Sequence, residues 1–542
     1  MNGKVVRHAP AIRKLVFWPP WILLVAVAVV SFINNESFLK YLNLITGWIL
    51  NYFAWGFNGL ALFCVITVIM VYFSPLGKVR IGGRKARPIM KYSNWLWITL
   101  CTTVAAGILF WACAEPLYHL YAPPAAAGVV PGTPEAALFS MEVMFLEWTW
   151  SPYALYAVAT LAFAFAYYNM KLPNTLSAPL ALALGTRVQK WSAIVDVICL
   201  FALTAGMAGS MGTGILSISG GLESVTGVKS APGLWAVVGI VAGALFVVSS
   251  ITGVMKGIKL LSKLNMYVFF LLLALFFLFG PTAFMLNTAA ESLGAFFSDF
   301  FRLSLMTGDL FGDGWARSWP NFYFCNWLAW TPICAVFLGK IARGYTIRDA
   351  IRCNFFFPSI FSTLWIGLFS TASIFYEMNG GGLSAVLAQS GAESVVYAVL
   401  RRLPLSTLII PLYIFIIFIS FVTACDSNTS ALSGLCVSED ADERQESPAW
   451  LKIVWGATIT LIAWIMISSA GIDGIKAVSN LGGFPNMFLV LIMAAGLWRV
   501  SRRPGRFDAH KEDYDQEDLP LPSRRLTPEE CDQKQQSGGA VS

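Results

Sequence analysis

Charged side chains are scarce in this sequence, and their scarcity excludes most soluble architectures. Only 12% of the 542 residues are Asp, Glu, Lys or Arg, about half the share that is usual in soluble domains. Hydrophobic residues make up 57%. Apolar runs of about 20 residues, the length that crosses a bilayer, recur along nearly the whole chain. The composition therefore predicts a polytopic helical membrane protein.

The residues and motifs that enzymes use are also scarce. The sequence has three histidines, His8, His119 and His510, and we expect none of them in the middle of the membrane. The ten cysteines form no CxxC pair and stand mostly in apolar runs, as buried free thiols do. Walker loops, metal-ligand clusters and nucleophile elbows are missing from the pattern. We therefore predict that the protein is not an enzyme and needs no cofactor, and that any active transport draws on an ion gradient.

Basic residues exceed acidic ones, but they do not form a nucleic-acid surface. The net charge is +7. The basic side chains fall in short loops between apolar runs, above all in residues 78–91, 256–263 and 340–352, whereas the opposite loops hold few of them. This bias follows the positive-inside rule. It predicts a multi-pass protein of the plasma (inner) membrane, with both termini in the cytoplasm and no nucleic-acid partner.

The apolar runs predict twelve membrane spans. They lie near residues 16–34, 46–74, 94–116, 139–168, 191–219, 233–255, 264–287, 320–340, 354–377, 405–425, 450–470 and 480–499. Span five holds four glycines between residues 206 and 214, which either pack helices closely or allow an unwound stretch, and both interpretations stay open. Pro332 in the middle of span eight suggests a discontinuous helix.

Aromatic side chains cluster inside spans four and eight. The stretch MEVMFLEWTWSPYALYAVAT holds Trp148, Tyr153 and Tyr156, and span eight holds Trp327 and Trp330. Aromatic rings on facing helices can build a cage that binds a quaternary ammonium group by cation–π attraction. The alternative is the belt that Trp and Tyr form at membrane surfaces, which suits residues near span ends better than these. Trp148 joins the other rings only if the helix is irregular, and a proline in the same stretch gives a reason for this.

Glu147 stands beside Trp148 within span four. An ionisable side chain inside a span is costly and marks a functional site by default. Glu147 could attract a cationic substrate, carry a proton or pair with a buried base. Glu115, near the outer end of span three, and Asp196, near the cytoplasmic surface, are weaker candidates.

Several blocks of the sequence resemble the betaine/choline/carnitine transporter (BCCT) family. They are WACAEPLYHLYAPP (111–124), WTWSPYALYA (148–157), AGMAGSMGTGILSISGGL (205–222), FYFCNWLAWTPICAVFLGKIARGYTIRDAI (322–351) and FVTACDSNTSAL (421–432). The resemblance implies an all-α, leucine-transporter-type fold in which spans 3–7 and 8–12 form two inverted five-helix repeats around a midplane substrate site. It also implies assembly as a homotrimer.

These repeats set the expected boundaries along the chain. In order, we expect a basic cytoplasmic N-terminus (1–15), two peripheral spans with a basic loop (16–92), the first repeat (93–287), an external surface helix and loop (288–319), the second repeat (320–500) and a disordered cytoplasmic tail (501–542). The loop charges agree, because they make span three run outward and span eight inward, as an inverted repeat requires.

Carried over position by position, the resemblance also implies substrate contacts. The family's aromatic box falls on Trp148, Tyr153, Tyr156 and Trp327, its neighbouring gate aromatic on Trp330, and its substrate-facing glycine run on Gly107. Only Gly107 remains of that run, and Asn326 replaces one expected aromatic.

The residues implied for ion coupling also depart from the family. The usual Thr-Ser pair of the sodium site reads Thr423-Ala424, so one sodium ligand is missing, and Glu147 stands where histidine is common. A sodium ion held by Thr423 and a proton carried by Glu147 therefore both stay open.

The sequence thus predicts a secondary active transporter. We expect it to import a small quaternary or tertiary ammonium compound, such as choline, glycine betaine or carnitine, by alternating access coupled to a cation gradient. Two alternatives stay open: an exchanger of onium compounds with the same fold, and an osmotically regulated sensor-transporter. Osmoprotection and nutrient uptake are both compatible with this prediction.

Overall fold

A computed structural model describes residues 11–104, 106–252, 255–437 and 447–522 of the chain. Within these ranges nearly all structure is helical, and β-pairing is limited to isolated bridges such as the one between Arg80 and Thr346. The prediction of an all-α protein is confirmed. His8 and the last part of the predicted tail, residues 523–542, lie outside the described residues.

The described residues contain nineteen α-helices, the shortest of which lie in connections between the long ones. In chain order they are α1 (Lys14–Ile33), α2 (Asn35–Phe73), α3 (Tyr92–Thr103), α4 (Ala106–Tyr121), α5 (Pro134–Trp148), α6 (Trp150–Ala164), α7 (Ala181–Leu184), α8 (Ser192–Thr226), α9 (Pro232–Thr252), α10 (Met255–Phe279), α11 (Thr282–Ser304), α12 (Trp315–Ser318), α13 (Pro320–Ile341), α14 (Ile347–Ile351), α15 (Phe357–Met378), α16 (Leu383–Ser390), α17 (Ala392–Leu400), α18 (Ser406–Leu435) and α19 (Ala449–Ser501). Short π-helical turns, Phe165–Asn169 and Arg352–Phe356, follow α6 and precede α15.

The long helices agree with twelve membrane spans. In the described residues, eight helical stretches are long and apolar enough to cross a membrane, and ten if the bent pairs α3–α4 and α10–α11 each count as one. α19 has 53 residues and leaves helical geometry at Gly471 (φ 56°, ψ −132°). A straight helix of that length would measure about 80 Å, more than twice the bilayer core, so α19 contributes two spans. The broken helix α5–α6 adds the remaining one.

The two halves of the protein pack with matching partners. The first half comprises α3–α6 and α8–α10, and the second comprises α13, α15, α18 and α19. α13, which opens the second half, packs on α6, just as α4 in the opening span of the first half packs on α15. The third spans of the two halves, α8 and α18, pack on each other, and α9 packs on α19. This is the pairing expected of two inverted five-helix repeats.

Span four is broken at Thr149, between α5 and α6. The backbone angles of Thr149, φ −120° and ψ −102°, are not helical. Pro152 in the first turn of α6 has no N–H to donate to the carbonyl of residue 148, so an unbroken helix would lose a hydrogen bond here. The irregularity that this proline predicts is present, and it lies just before the proline.

Span eight runs through Pro332 without a break, so the prediction of a discontinuous helix at this proline is wrong. Pro332 leaves the carbonyl of Leu328 without its helical partner. That carbonyl instead accepts hydrogen bonds from Asn486 Nδ2 (2.9 Å) and Thr331 Oγ1 (2.7 Å). The break lies earlier, at Trp319, whose φ of −125° and ψ of −86° separate α12 from α13.

The glycines of span five serve close packing. α8 is a continuous helix of 35 residues. A Cβ on Gly209 would lie 2.8 Å from Ser479 Oγ, and a Cβ on Gly212 would lie 3.0 Å from side-chain carbons of Ile467 and Ile475. Of the two interpretations of these glycines, the structure supports helix packing, because α8 approaches α19 too closely for a side chain.

Span seven ends earlier than predicted, and the surface helix after it starts earlier. The chain bends by 109° between α10 and α11, at Gly280 and Pro281. Proline ends the preceding helix here. The boundary between the first repeat and the surface helix therefore lies near residue 281 and not at residue 287.

The first part of the predicted disordered tail is folded. Asp508, only 1% exposed, accepts hydrogen bonds from Asn169 Nδ2 (2.6 Å) and from the hydroxyl of Tyr514 (2.5 Å). The backbone N–H of Arg84 donates to Asp513 at 2.6 Å, which ties this segment to the basic loop after span two. The prediction of disorder is thus wrong for residues 501–522, because a buried carboxylate and its donors anchor them.

Candidate substrate site

Four aromatic rings from spans four and eight meet in the interior of the protein. The centroid of Trp327 lies 5.9 Å from that of Trp148, 5.7 Å from that of Tyr153 and 5.1 Å from that of Tyr156. The planes of these three rings are inclined by 60° to 79° to the plane of Trp327. All four side chains are at most 4% exposed. We call this set the aromatic box.

The break at Thr149 brings Trp148 into the box. Trp148 is the last residue of α5, and Tyr153 and Tyr156 lie on α6 beyond the break. On one regular helix, residues 153 and 156 share a face that residue 148 does not. With the helix broken, all three rings contact Trp327 on the facing helix α13.

Hydrogen bonds hold the polar edges of these rings. Trp327 Nε1 donates to the backbone carbonyl of Glu147 at 3.1 Å. The hydroxyls of Tyr153 and Ser362 are 2.7 Å apart and share a hydrogen bond. With these polar groups occupied, the rings present apolar edges and electron-rich π faces to one another, and such faces attract cations.

Gly107 packs on Trp148 of the aromatic box, whereas Trp330 packs on α8. A Cβ on Gly107 would come within 3.2 Å of Trp148 Cη2, so glycine leaves room for the indole. Trp330 faces α8, where a Cβ on Gly206 would come within 3.2 Å of its Cδ1 and Nε1 atoms. Among the described ring contacts, none joins Trp330 to the four box residues.

Thr423 is in a different part of the structure from Glu147. Its hydroxyl donates to the carbonyls of Ile419 (2.7 Å) and Ser420 (3.1 Å) in its own helix, α18. α18 packs mainly on α8, α9 and α10, whereas α5, which carries Glu147, packs mainly on α4, α11 and α15. The two residues predicted to couple an ion are therefore not brought together.

Asp196 belongs to a structural ion pair. Its carboxylate accepts a 2.6 Å hydrogen bond from the guanidinium of Arg13 and a 3.1 Å hydrogen bond from the backbone N–H of Leu176. Arg13 also donates to the carbonyl of Leu435 at 3.1 Å, so the pair fastens the N-terminal segment to α8 and α18. Asp196 therefore has no part in the aromatic box.

Beside the box lies a group of three buried ionisable side chains, Glu115, His119 and Glu147, which we call the acid cluster. All three are fully buried, and one ligand-type atom from each lies within 4.8 Å of the others. Glu115 Oε2 accepts a 2.9 Å hydrogen bond from Trp148 Nε1 and another from the hydroxyl of Tyr323. The acid cluster is thus hydrogen-bonded directly to a wall of the box.

His119 is fully buried in the protein, in the last turn of α4, and the expectation that no histidine lies in the middle of the membrane stays a prediction. Its Nε2 is 3.5 Å from Glu115 Oε1. The two residues are four positions apart on α4, so a helix presents them on one face. That spacing, EPLYH in the sequence, is the signal that could have identified the pair before the structure.

Lys476 faces the acid cluster from α19. Its ammonium lies 3.7 Å from the centroid of Trp319 and donates to the carbonyl of Ser318 at 3.0 Å. It interacts electrostatically with both Glu115 and Glu147. The acid cluster offers the donor atoms of a metal site, but this ammonium repels a divalent ion twice as strongly as it repels a proton at the same place.

The sequence matches the family described as BCCT, betaine/carnitine/choline family transporter, over residues 15–506. The chain belongs to the BCCT family. It is 30% identical over 454 residues to an ectoine/hydroxyectoine transporter of Virgibacillus pantothenticus, covering 83% of this chain and 88% of that protein. It is 27% identical to the glycine betaine transporter OpuD of Bacillus subtilis over 487 residues, which cover 89% and 93% of the two chains.

Among solved structures, a Na+-coupled sialic acid symporter in a substrate-bound outward-open state is similar over 82% of this chain and 86% of that one, with 12% identity and a TM-score of 0.42. The BCCT match and the matching packing of the two five-helix halves confirm the leucine-transporter-type fold. This BCCT protein is a multi-pass membrane transporter and not an enzyme.

Proposed function

We propose that this BCCT protein is a secondary active transporter that imports a small quaternary or tertiary ammonium compound by alternating access coupled to a cation gradient. The observation that carries the proposal is the aromatic box, four buried rings centred on Trp327. The substrates in the names of its relatives, glycine betaine and ectoine, support the class of small compatible solutes. The plasma (inner) membrane and a homotrimer remain the expected location and assembly.

The box suits a methylated ammonium group for two physical reasons. Each aromatic face contributes about 0.5–2 kcal/mol to cation binding when the site is desolvated. A quaternary ammonium donates no hydrogen bonds to water and loses little when it enters a site lined by rings. A small, strongly hydrated ion such as sodium loses much more, so the rings favour the organic cation.

Glu147 gives the site a preference for substrates with net positive charge. Its neighbour Trp148 forms one wall of the box, and its carboxyl group belongs to the acid cluster on the Nε1 edge of that ring. At a separation of about 6 Å and an effective dielectric constant near 20, a carboxylate attracts an ammonium by about 3 kcal/mol. The same charge repels the carboxylate of a betaine, so choline is the preferred substrate in this proposal.

The coupling ion is sodium or a proton. Sodium would use Thr423 and backbone carbonyls of α18, with Ala424 in place of a second hydroxyl. A proton would use Glu147, which is fully buried and lies with two further titratable groups. Because Glu147 is buried beside two other titratable side chains, we favour the proton as the coupling ion.

The test is uptake of labelled choline and glycine betaine into proteoliposomes, with sodium and proton gradients imposed separately. We expect a proton gradient without sodium, with the vesicle interior acidic, to drive choline uptake in exchange for a proton, and the Glu147→Gln variant to lose the preference for choline over glycine betaine. Uptake driven only by a counter-substrate inside the vesicles would establish the exchanger instead. Absence of uptake under every condition would overturn the onium assignment.

A further inference from the structure

Several polar atoms of the acid cluster have no hydrogen-bond partner among the described residues. Both carboxylate oxygens of Glu147, Oε1 of Glu115 and both ring nitrogens of His119 are buried without a hydrogen-bond partner among the described residues. Buried polar groups are normally satisfied, so atoms left open at one place point to a ligand or a labile proton. The three side chains come from α4 and α5, and one ligand-type atom from each lies within 4.8 Å of the others.

The charges around the cluster do not balance unless it holds a proton. Two carboxyl groups, Glu115 and Glu147, meet one ammonium, that of Lys476. Tyr323 on α13 and the exposed Asp473 on α19 are the other ionisable groups facing them or Lys476. Two carboxylates in contact in a dry site do not both carry charge. One shared proton makes the set of two carboxyls and one ammonium neutral.

Two hydrogen bonds join the acid cluster to the aromatic box. Trp148 donates to Glu115, and Trp327 donates to the backbone carbonyl of Glu147. A cation bound against these two indoles therefore lies next to the place where the shared proton resides. Because like charges repel, the cation and the proton oppose each other's binding.

We propose that Glu115 and Glu147 share one proton in the empty carrier, and that a substrate with net positive charge displaces this proton to the aqueous phase when it binds in the aromatic box. The proposal rests on the function proposed above. A zwitterion such as glycine betaine brings no net charge and leaves the proton in place. His119 Nε2 lies 3.5 Å from Glu115 Oε1, one helical turn away, and is positioned to receive the departing proton and pass it on.

The test is isothermal titration calorimetry of the purified full chain in detergent, at one pH in buffers with different enthalpies of ionisation. For choline, we expect the apparent binding enthalpy to vary with the buffer with a slope of about one released proton. For glycine betaine, we expect a slope near zero. The affinity for choline should also rise by up to about tenfold per pH unit while the proton is bound, because a ligand that displaces a proton binds better when protons are scarce.

Two variants locate the proton. Glu147→Gln keeps the shape of the side chain and removes its acidity, so choline should still bind and the slope should fall to zero. Glu142→Gln is the matched control, because Glu142 is also buried on α5 but has Asp299 and Arg302 as its charged neighbours. Its slope should equal that of the wild type.

The wild-type titrations decide the proposal even if a variant fails to fold. A slope of zero for choline would overturn it, and so would a slope that survives Glu147→Gln. Loss of choline binding after treatment with a chelator, with a metal ion released in proportion to protein, would also overturn it by making the cluster a metal site. If neither choline nor glycine betaine binds, the proposed function fails together with the proton proposal. In the other outcomes, choline or glycine betaine still binds and only the proton proposal fails.

Discussion

Trp148 Nε1 and Glu115 Oε2 are joined by a 2.9 Å hydrogen bond in a fully desolvated part of the protein. Tyr323 donates to the same oxygen, so a single carboxyl atom orients one wall of the aromatic box and one ring behind it. A buried hydrogen bond to a carboxylate is stronger than one between neutral groups. We therefore propose that Glu115 acts on substrate by positioning Trp148.

Replacing Glu115 should weaken substrate binding more than it reduces the amount of folded carrier. Glu115→Ala leaves two buried donors without an acceptor, at a cost of about 1.5–3 kcal/mol. We expect the half-saturation concentration of uptake to rise by about 10- to 100-fold for glycine betaine, whose binding leaves the shared proton in place. Glu115→Gln, whose amide oxygen can still accept a hydrogen bond, should recover part of the loss. An unchanged half-saturation concentration in Glu115→Ala would show that the bond does not hold Trp148.

Trp327 contributes the ring that all other box residues contact. Trp327→Ala removes one cation–π partner of about 0.5–2 kcal/mol and loosens three others, so the half-saturation concentration should rise at least about tenfold. Trp150→Ala is the matched control, because Trp150 lies at the same break but packs on Phe297, Phe355 and Phe356 outside the box. Both variants lose an indole that packs on aromatic neighbours, and only the first should lose affinity per molecule of reconstituted carrier. Equal affinities would contradict the box.

The folded tail segment should contribute to stability. Asp508→Ala leaves the amide of Asn169 and the hydroxyl of Tyr514 without their acceptor, at a cost of about 1–3 kcal/mol. We expect a thermal unfolding temperature several degrees lower in detergent, measured by intrinsic fluorescence, for Asp508→Ala and for a chain ending at residue 503. A chain ending at residue 522 keeps these contacts and should match the full chain. If all three chains unfold at the same temperature, the segment contributes nothing.

Glu393 makes stability depend on pH. It lies on the short helix α17, and burial, followed by the nearby charge of Glu223, raises its pKa to about 7. Because the folded protein holds this proton more tightly than the unfolded chain does, the contribution to stability is full below the ordinary glutamate pKa and is lost as the pH rises through 7. Glu393→Gln mimics the protonated form, so it should stabilise the protein at pH 8 and change little at pH 4.5. A stability difference that does not vary with pH would contradict this assignment.

Much of the fold follows from apolar periodicity and turn chemistry. The spans and the break in span four could be predicted because bilayer length and a proline lacking its N–H act locally. The run of α13 through Pro332 could not, since it depends on a side chain distant in sequence, Asn486, that satisfies the freed carbonyl. The tail escaped prediction for a similar reason, because its polar composition hides one buried anchor, Asp508.

Part of the candidate site could likewise be predicted from the sequence, and part could not. Aromatic spacing and family resemblance indicated the box residues, and the structure brings those four rings together. Glu115 and Glu147 are 32 positions apart in the sequence, and their contact depends on how α4 packs against α5. Hydropathy also places His119 near the end of its span, whereas burial there comes from the neighbouring indoles of Trp315 and Trp319. Patterns in a single sequence do not show which distant residues come into contact.

The claim that the box recognises positive charge is tested most directly by comparing choline with 3,3-dimethyl-1-butanol, its uncharged isostere, in calorimetric binding to the purified protein. The two molecules have the same shape, so hydrophobic contact is matched and only the charge on the central atom differs. Several desolvated cation–π contacts at about 0.5–2 kcal/mol each should make choline bind at least about tenfold more tightly, and Trp327→Ala should remove most of that difference. Equal affinity of the two molecules for the wild type would contradict a cation-binding box.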